Sequence, residues 1–130
     1  MKRLLVAAAG TAMIFGCAPI PRESANQAAL AEARPIGEPR NCISLTTISH
    51  TRVRSDSVID FYMRGGQVYR NTLATSCPGL AFEERFTYRT SLTQLCAVDT
   101  ITVLYASGPQ QGATCGLGRF QPIEISARRG

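Results

Sequence analysis

The sequence predicts a small all-β domain, an antiparallel barrel-like fold or compact sandwich, held by two disulfides and preceded by a signal peptide and a flexible tether. From residue 41 onward, β-branched and aromatic residues alternate with polar ones, and glycine or proline interrupts the runs, which is typical of short strands. Four of the five cysteines lie beyond residue 41, and an even number suits disulfides in an oxidising compartment. A chain of 130 residues has room for one such domain.

The first 16 residues have the pattern of a bacterial lipoprotein signal peptide. Two basic residues precede an apolar run that ends at Gly16. The run is shorter than the ~20 residues that a transmembrane helix needs, so it fits a signal-peptide core. Residues 14–17, Ile-Phe-Gly-Cys, resemble the lipobox, which ends in a lipidated cysteine. We therefore expect a lipid on Cys17; the alternative is an ordinary secretory signal cut elsewhere, which would remove Cys17. The residue after Cys17 is Ala18 and not aspartate, which resembles the pattern that sorts lipoproteins of enteric bacteria to the outer membrane.

Residues 17–40 predict a flexible tether that carries the lipidated cysteine at its start. They contain four prolines and an alanine-rich patch, with no aromatic residue. The patch ANQAALAEAR could form two or three turns of helix, but so short a helix is marginal without tertiary contacts. Fully extended, the segment would reach about 80 Å at ~3.4 Å per residue, enough to hold the domain clear of a membrane.

The domain, residues 41–126, divides into seven predicted strands and one helical turn, followed by a short tail at residues 127–130. Each strand is a run rich in β-branched or aromatic residues that glycine, proline or small polar residues bound. The strands are expected near residues 42–48, 51–54, 57–63, 67–73, 84–89, 100–105 and 118–125, and the helical turn at residues 91–95.

The clearest predicted hairpin is VIDFYMRGGQVYRNTL. Its glycine pair at 65–66 favours a two-residue turn, because glycine tolerates the positive φ that such a turn requires. With this pair as the loop, Tyr62 opposes Tyr69 and Asp60 opposes Asn71 on one face. The other face is apolar and is expected to be core: Ile59, Phe61, Met63 and Val68.

Four cysteines in the domain permit three disulfide pairings. We favour Cys77 with Cys96, which would close the connection around CPGL, and Cys42 with Cys115, which would join the first strand to the last. Closing the first of these loops would contribute ~3 kcal/mol in the chain-entropy model. A domain of this size benefits from such bridges because it can bury only a modest core.

Metal, cofactor and nucleic-acid sites are not expected. The domain cysteines are 35, 19 and 19 positions apart, without the C-x-x-C pair of zinc sites, and His50 is the only histidine. The segment CGLGRF lacks the following helix of a phosphate-binding loop, so no cofactor is expected. The formal net charge is +5, but no basic run with interleaved aromatic residues indicates a nucleic-acid surface.

The sequence offers few combinations of residues for catalysis, and we do not expect an enzyme. A nucleophile needs a nearby base, and only His50 could serve, because the sole lysine, Lys2, belongs to the signal peptide. Two carboxylates in unequal environments could perform acid-base chemistry. The alternative hypothesis is therefore a small glycan- or ester-active hydrolase that uses Asp60 or Asp99. Asp99, however, starts DTITVL, where aspartate and threonine more often form a turn.

A binding surface on the predicted hairpin is the hypothesis that we favour. Tyr62 and Tyr69, with Arg64 and Arg70, would form an arginine and tyrosine patch, and both residue types are enriched at protein interfaces. The expected partners are the membrane, through the lipid, and another envelope protein, an anionic lipid or a glycan, through the patch. A scattered, solvated face is the competing interpretation.

Four motifs resemble a known family: GGQVYRNTL, CPGLAFEERFTYRT, LCAVDTITVL and CGLGRFQPI. They are similar to a family of small uncharacterised lipoproteins and exported proteins of Gram-negative bacteria, over about residues 42–123. That family has no established activity, so the resemblance implies an exported, disulfide-bonded β domain and supplies no catalytic residues. The function we expect is a non-enzymatic binding or accessory module, anchored in the outer membrane and facing the periplasm.

Overall fold

A computed structural model describes residues 10, 11, 16, 21–90, 92–108 and 110–126. The predicted lipidation site Cys17, most of the predicted signal peptide and the tail at 127–130 lie outside the described residues. In chain order the elements are α1 (Arg22–Glu32), β1 (Ala33–Pro35), β2 (Cys42–Ser44), a 3₁₀ turn (Leu45–Thr47), β3 (Ile48–Val53), β4 (Val58–Met63), β5 (Val68–Thr72), α2 (Leu80–Glu83), β6 (Phe86–Arg89), β7 (Gln94–Cys96), β8 (Thr100–Leu104), β9 (Gln111–Gly116) and β10 (Phe120–Ile125).

The strands form three antiparallel sheets. The largest has the order β1-β10-β5-β4-β3, a second pairs β2 with β7, and the third has the order β6-β8-β9. Every neighbouring pair is antiparallel, and no sheet closes into a barrel within the described residues. The all-β prediction is confirmed, with three sheets around a shared core in place of a barrel.

One hydrophobic core lies between the three sheets. In β4 every second residue, Ile59, Phe61 and Met63, is buried in it, as the two-residue period of a strand requires. The ring of Phe61 meets Phe120 of β10 and Phe86 of β6 edge-on, with centroid distances of 5.5 and 6.4 Å. Burying a side chain of this kind contributes ~1.5–3 kcal/mol, so these rings help to hold β6 against the five-stranded sheet.

The β4–β5 hairpin has a register one residue away from the predicted one. Met63 donates its backbone N–H to the carbonyl of Gln67, so the loop between them has three residues instead of two. Tyr62 consequently pairs with Val68, and not with Tyr69 as predicted. Both loop glycines have positive φ, which glycine adopts without strain.

This shift by one residue moves the side chains of β5 to the opposite face of the sheet. Tyr69 lies opposite Phe61 and is buried in the core, and Asn71 is fully buried. Asp60 lies opposite Arg70 on the outer face, so its predicted pairing with Asn71 is wrong.

Residues 22–40, predicted as part of a flexible tether, are integrated into the domain. Helix α1 lies on the outer face of the five-stranded sheet, where Ala29 is buried. Strand β1 pairs with β10, and Arg40 exchanges two backbone hydrogen bonds of 2.8 Å with Phe120. The tether prediction is wrong for this segment because the sheet supplies the tertiary contacts that a short helix needs.

Each of the seven predicted strands overlaps an observed strand, but other elements of residues 41–126 differ from the prediction. Strand β7 occupies the position where a helical turn was expected, and strand β9 and helix α2 were not predicted at all. The first predicted strand is shorter than expected, because the chain turns into the 3₁₀ segment after Ser44.

Two disulfides are present, as predicted, but their pairing is not the predicted one. Cys42 bonds to Cys96, and Cys77 bonds to Cys115. Cys42 and Cys96 lie directly opposite each other in the β2–β7 ladder, with 4.0 Å between their Cα atoms. The Cα atoms of Cys77 and Cys115 are 5.9 Å apart. The prediction failed because Cys96 was placed beside a turn, which hid its cross-strand partner.

A buried amide fixes the segment that leads into β10. Asn71 donates a hydrogen bond to the carbonyl of Gly118 at 2.7 Å and accepts one from the N–H of Gly118 at 2.8 Å. A Cβ at residue 118 would lie 2.2 Å from the carbonyl oxygen of Thr72. Only glycine fits this approach, which brings the start of β10 against β5.

Candidate functional site

Beneath α1, the outer face of the five-stranded sheet carries a buried group of charges, the Asp60 cluster, formed by Arg54, Asp60 and Arg70. Arg70 donates from Nε and Nη2 to the two carboxylate oxygens at 2.7 and 2.8 Å, the two-pronged geometry that a guanidinium favours. Arg54 donates from Nε to Oδ2 of Asp60 at 2.9 Å. The Asp60 side chain has 0% exposure, and those of Arg54 and Arg70 have 11% and 12%.

The Asp60 cluster also holds α1 on the sheet. Arg54 donates to the side-chain oxygen of Asn26 at 3.2 Å and to the hydroxyl of Tyr62 at 2.8 Å. Arg70 donates to the backbone carbonyl of Ala29 at 3.4 Å. The two arginines therefore connect the sheet to the helix that covers them.

The position of Asp60 does not suit the hydrolase hypothesis. Both of its carboxylate oxygens accept hydrogen bonds from arginine. A general acid or base must come within hydrogen-bond distance of a proton on its substrate, and Asp60 has no exposed surface through which a substrate could approach. The geometry supports a structural role, in which Asp60 compensates the charge of two buried arginines.

Asp99 forms the turn between β7 and β8. Its Oδ2 accepts a hydrogen bond from the N–H of Cys96 at 2.7 Å, and its own N–H donates to the Cys96 carbonyl at 2.9 Å. This is the turn role that the Asp-Thr pattern predicts. Asp99 lines an open cleft of 740 Å³ and is the single carboxylate among the described residues of its lining. The paired carboxylates of a hydrolase are therefore not assembled by these described residues.

The four predicted binding residues do not form one surface. Tyr69 is 7% exposed and belongs to the core, and Arg70 is held in the Asp60 cluster. Arg64 is exposed in the hairpin loop, and Tyr62 is half-buried on the outer face. The predicted patch is therefore divided by the sheet itself, because the register shift places the two tyrosines on opposite faces.

His50 lies against Tyr62 on the outer face. The two rings are stacked, with centroids 4.5 Å apart and an angle of 11° between their planes. The hydroxyl of Ser49 is 3.3 Å from Nδ1 of His50. Both Ser49 and His50 are exposed on a strand, without the enclosed setting in which a hydroxyl is activated as a nucleophile.

An open groove of 630 Å³ lies beside the loop end of the β4–β5 hairpin, and we name it the hairpin groove. Its floor and walls are largely apolar, and Ile36, at its border, is 49% exposed. The predicted register placed Val68 in the core and so concealed this site. The lining consists of Ile36, Tyr62, Gly65, Gly66, Gln67, Val68, Ile123, Glu124 and Ile125.

A second groove, of 330 Å³, is lined by Tyr69 and Arg64 together with Arg40. The guanidinium carbon of Arg40 lies 5.7 Å from the centroid of the Tyr69 ring, a cation–π distance. Gln67 lines both grooves. Three of the four predicted binding residues, Tyr62, Arg64 and Tyr69, are thus distributed between two grooves that meet beside the hairpin loop, and Arg70 lines neither groove.

Two further features bear on the predicted site. In the part of the chain that the structure describes, no group of three or more His, Cys, Asp or Glu side chains is placed to hold a metal ion. Within the same residues, no helix combines the length and the apolar character needed to cross a membrane.

Comparison with known proteins places the chain in a family. The sequence profile of a family of unknown function, DUF6491, matches residues 1–129. The chain belongs to this family. Membership of DUF6491 assigns no activity, ligand or partner to the protein. No curated protein and no solved structure matches the chain significantly.

Proposed function

We propose that this DUF6491 protein is a non-enzymatic binding or accessory module of the cell envelope, anchored by a lipid on Cys17 in the outer membrane and facing the periplasm. The observation that carries the binding role is the hairpin groove, an apolar cleft bordered by the exposed Ile36. The anchor rests on the resemblance of residues 14–17 to a lipobox.

The hairpin groove suits an apolar segment of another envelope protein. Its 630 Å³ falls within the ~300–1,000 Å³ typical of ligand sites. Strands β4, β5 and β10, which supply most of the lining, are held by continuous ladders, so the groove is preformed and little ordering opposes binding. Gln67 and Glu124 add polar groups to the lining, which can orient a partner.

A protein partner fits this groove better than an anionic lipid. Among the described lining residues there is one carboxylate, Glu124, and no arginine. Arg70, a residue of the predicted arginine and tyrosine patch, already forms two hydrogen bonds with the Asp60 carboxylate. The apolar lining instead favours an aliphatic or aromatic side chain that is inserted from a partner.

Site-specific crosslinking in cells tests the groove. A photoreactive amino acid at Gln67, in the groove, should capture one recurrent envelope protein, whereas the same group at Gln111, exposed on β9, should not. Ile36→Ser should weaken this capture, and Val98→Ser should not. Both replaced side chains are exposed, at 49% and 90%, so neither change should unfold the domain.

Each other result has a definite meaning. Equal capture from Gln67 and Gln111, or none from Gln67, would contradict the groove as a binding site. Capture of a lipid or a glycan at Gln67 would show that the groove binds that class of molecule and would contradict a protein partner. Mass spectrometry of Cys17 from the membrane fraction should show acyl chains; a chain that starts elsewhere, without Cys17, would contradict the anchor. Tyr69 and Arg70 are unsuitable probes, because Tyr69 is buried in the core and Arg70 is held by Asp60.

A further inference from the structure

The folded domain begins very close to the proposed anchor. Helix α1 starts at Arg22, so only residues 18–21 separate it from Cys17, whereas the sequence predicted a tether that continues to residue 40. Five Cα-to-Cα steps span at most ~17 Å. With Cys17 lipidated, on which this inference rests, the first turn of α1 is held close to the surface of the bilayer.

The start of α1 lies beside the end of α2. Arg22 forms an ion pair with Glu84, the residue that directly follows α2. Phe82, within α2, is 86% exposed, and Arg85 is exposed as well. The ion pair between Arg22 and Glu84 places the end of α2 next to the start of α1, the end of the helix that is nearest to Cys17. We name Arg22, Phe82 and Arg85 the anchor-side edge.

Helix α2 is fixed to the domain with Phe82 directed outward. Leu80 is fully buried in the core, and the Glu83 carboxylate accepts a hydrogen bond from the N–H of Ala106 at 3.1 Å. The residues on either side of Phe82 are therefore attached to the domain. The phenylalanine ring remains in water unless another surface covers it.

We propose that the anchor-side edge is a membrane-contact surface. Phe82 enters the headgroup region of the leaflet that holds the Cys17 lipid, and Arg22 and Arg85 face phospholipid phosphates. Transfer of an aromatic ring out of water is favourable, and guanidinium groups form strong hydrogen bonds with phosphate. Glu84 partly neutralises Arg22, so the apolar contact of Phe82 is the main attraction. The anchor makes that contact effectively intramolecular.

A second exposed apolar side chain provides the matched control. Val98 is 90% exposed in the turn between β7 and β8. The hydrogen bonds of this turn connect it to Asn41 and Leu117. Val98 is therefore as exposed as Phe82 but belongs to a different part of the domain.

Tryptophan fluorescence can compare the two positions, because the chain contains no tryptophan. The lipidated full chain, as Phe82→Trp or as Val98→Trp, is placed in vesicles of phosphatidylethanolamine and phosphatidylglycerol that carry nitroxide-labelled headgroups. Quenching should be several-fold stronger for Phe82→Trp than for Val98→Trp. Adding Cys17→Ser, which removes the acyl chains, should lower the quenching of the Phe82→Trp chain to the level of the Val98→Trp chain.

The outcomes separate this inference from the proposed function. Equal quenching at the two positions, with the lipid confirmed on Cys17 by mass spectrometry, would overturn the membrane contact and leave the anchor in place. A chain recovered from cells without acyl chains would overturn both. Capture of a partner at Gln67 depends on neither result, so the binding role of the hairpin groove is tested independently.

Discussion

Asp60 illustrates how a charged side chain can be buried in a small domain. Removing a carboxylate from water costs several kcal/mol, and the cost is offset only when opposite charges and hydrogen bonds replace the water. Asp60 accepts three such bonds, two from Arg70 and one from Arg54. The arginines in turn hold Asn26 and Ala29 of α1. Loss of the single negative charge would leave two nearly buried positive charges uncompensated.

We expect Asp60→Asn to lower the free energy of unfolding by about 3–5 kcal/mol, the usual effect of removing one partner from a buried ion pair. Urea unfolding followed by circular dichroism measures this change. Glu124→Gln is the matched control. Glu124 pairs with Arg34, but these side chains are 57% and 73% exposed. Removal of this ion pair should therefore lower the free energy of unfolding by only ~0–1 kcal/mol. Equal losses for the two variants would contradict a structural role for the Asp60 cluster.

At the scale of secondary structure, the β4–β5 hairpin determined how much of the site could be predicted. The alternating pattern located both strands, and the glycine pair located the loop. A two-residue and a three-residue loop differ by one position, however, and both place the glycines within the loop. Val68 and Tyr69 are each compatible with a core face, so hydrophobicity could not choose between the registers. The hairpin groove and the burial of Arg70 follow from the register that the fold selects.

Other elements were missed because their formation depends on distant contacts. Strand β9 has the sequence QGATCG, which contains two glycines and little β-forming preference, and its pairing with β8 compensates for this. Helix α1 is short and polar, with Ala29 as its buried residue. Nothing local indicates that Arg54 and Arg70 will bind it, since they are distant in sequence.

We expect Ala29→Gln to destabilise the domain by about 1–3 kcal/mol, the usual effect of inserting a larger side chain into a packed site. The added atoms would have to fit between α1 and the Asp60 cluster. Ala28→Gln provides the control, because Ala28 is exposed on the same helix and the intrinsic helix propensity changes equally. The free energies of unfolding of the two variants, measured with urea, should differ by the full cost of packing the larger side chain at residue 29. Equal stability would show that α1 does not pack on the sheet.

At the scale of the whole molecule, the two disulfides connect different parts of the fold. Cys42–Cys96 joins the two strands of the smallest sheet. Cys77–Cys115 joins the segment after β5 to β9, and so connects the five-stranded sheet to the three-stranded one. Cys77 has 0% and Cys115 has 8% exposure, whereas Cys42 and Cys96 are half-buried. The second bridge therefore also fills part of the core.

The two bridges should contribute different amounts to the free energy of unfolding of the domain, because they differ in burial and hardly in loop length. Their sequence separations are 54 and 38, for which the chain-entropy model gives ~4 kcal/mol each. Replacing both Cys77 and Cys115 by alanine also creates a cavity in the core, which should cost a further ~1–2 kcal/mol. Replacing both Cys42 and Cys96 by alanine should cost only the entropic part. Urea unfolding without reductant measures both, and peptide mapping of the unreduced protein checks the pairing. Equal stability of the two double variants, or the reverse order, would show that burial of Cys77 and Cys115 contributes nothing beyond chain entropy.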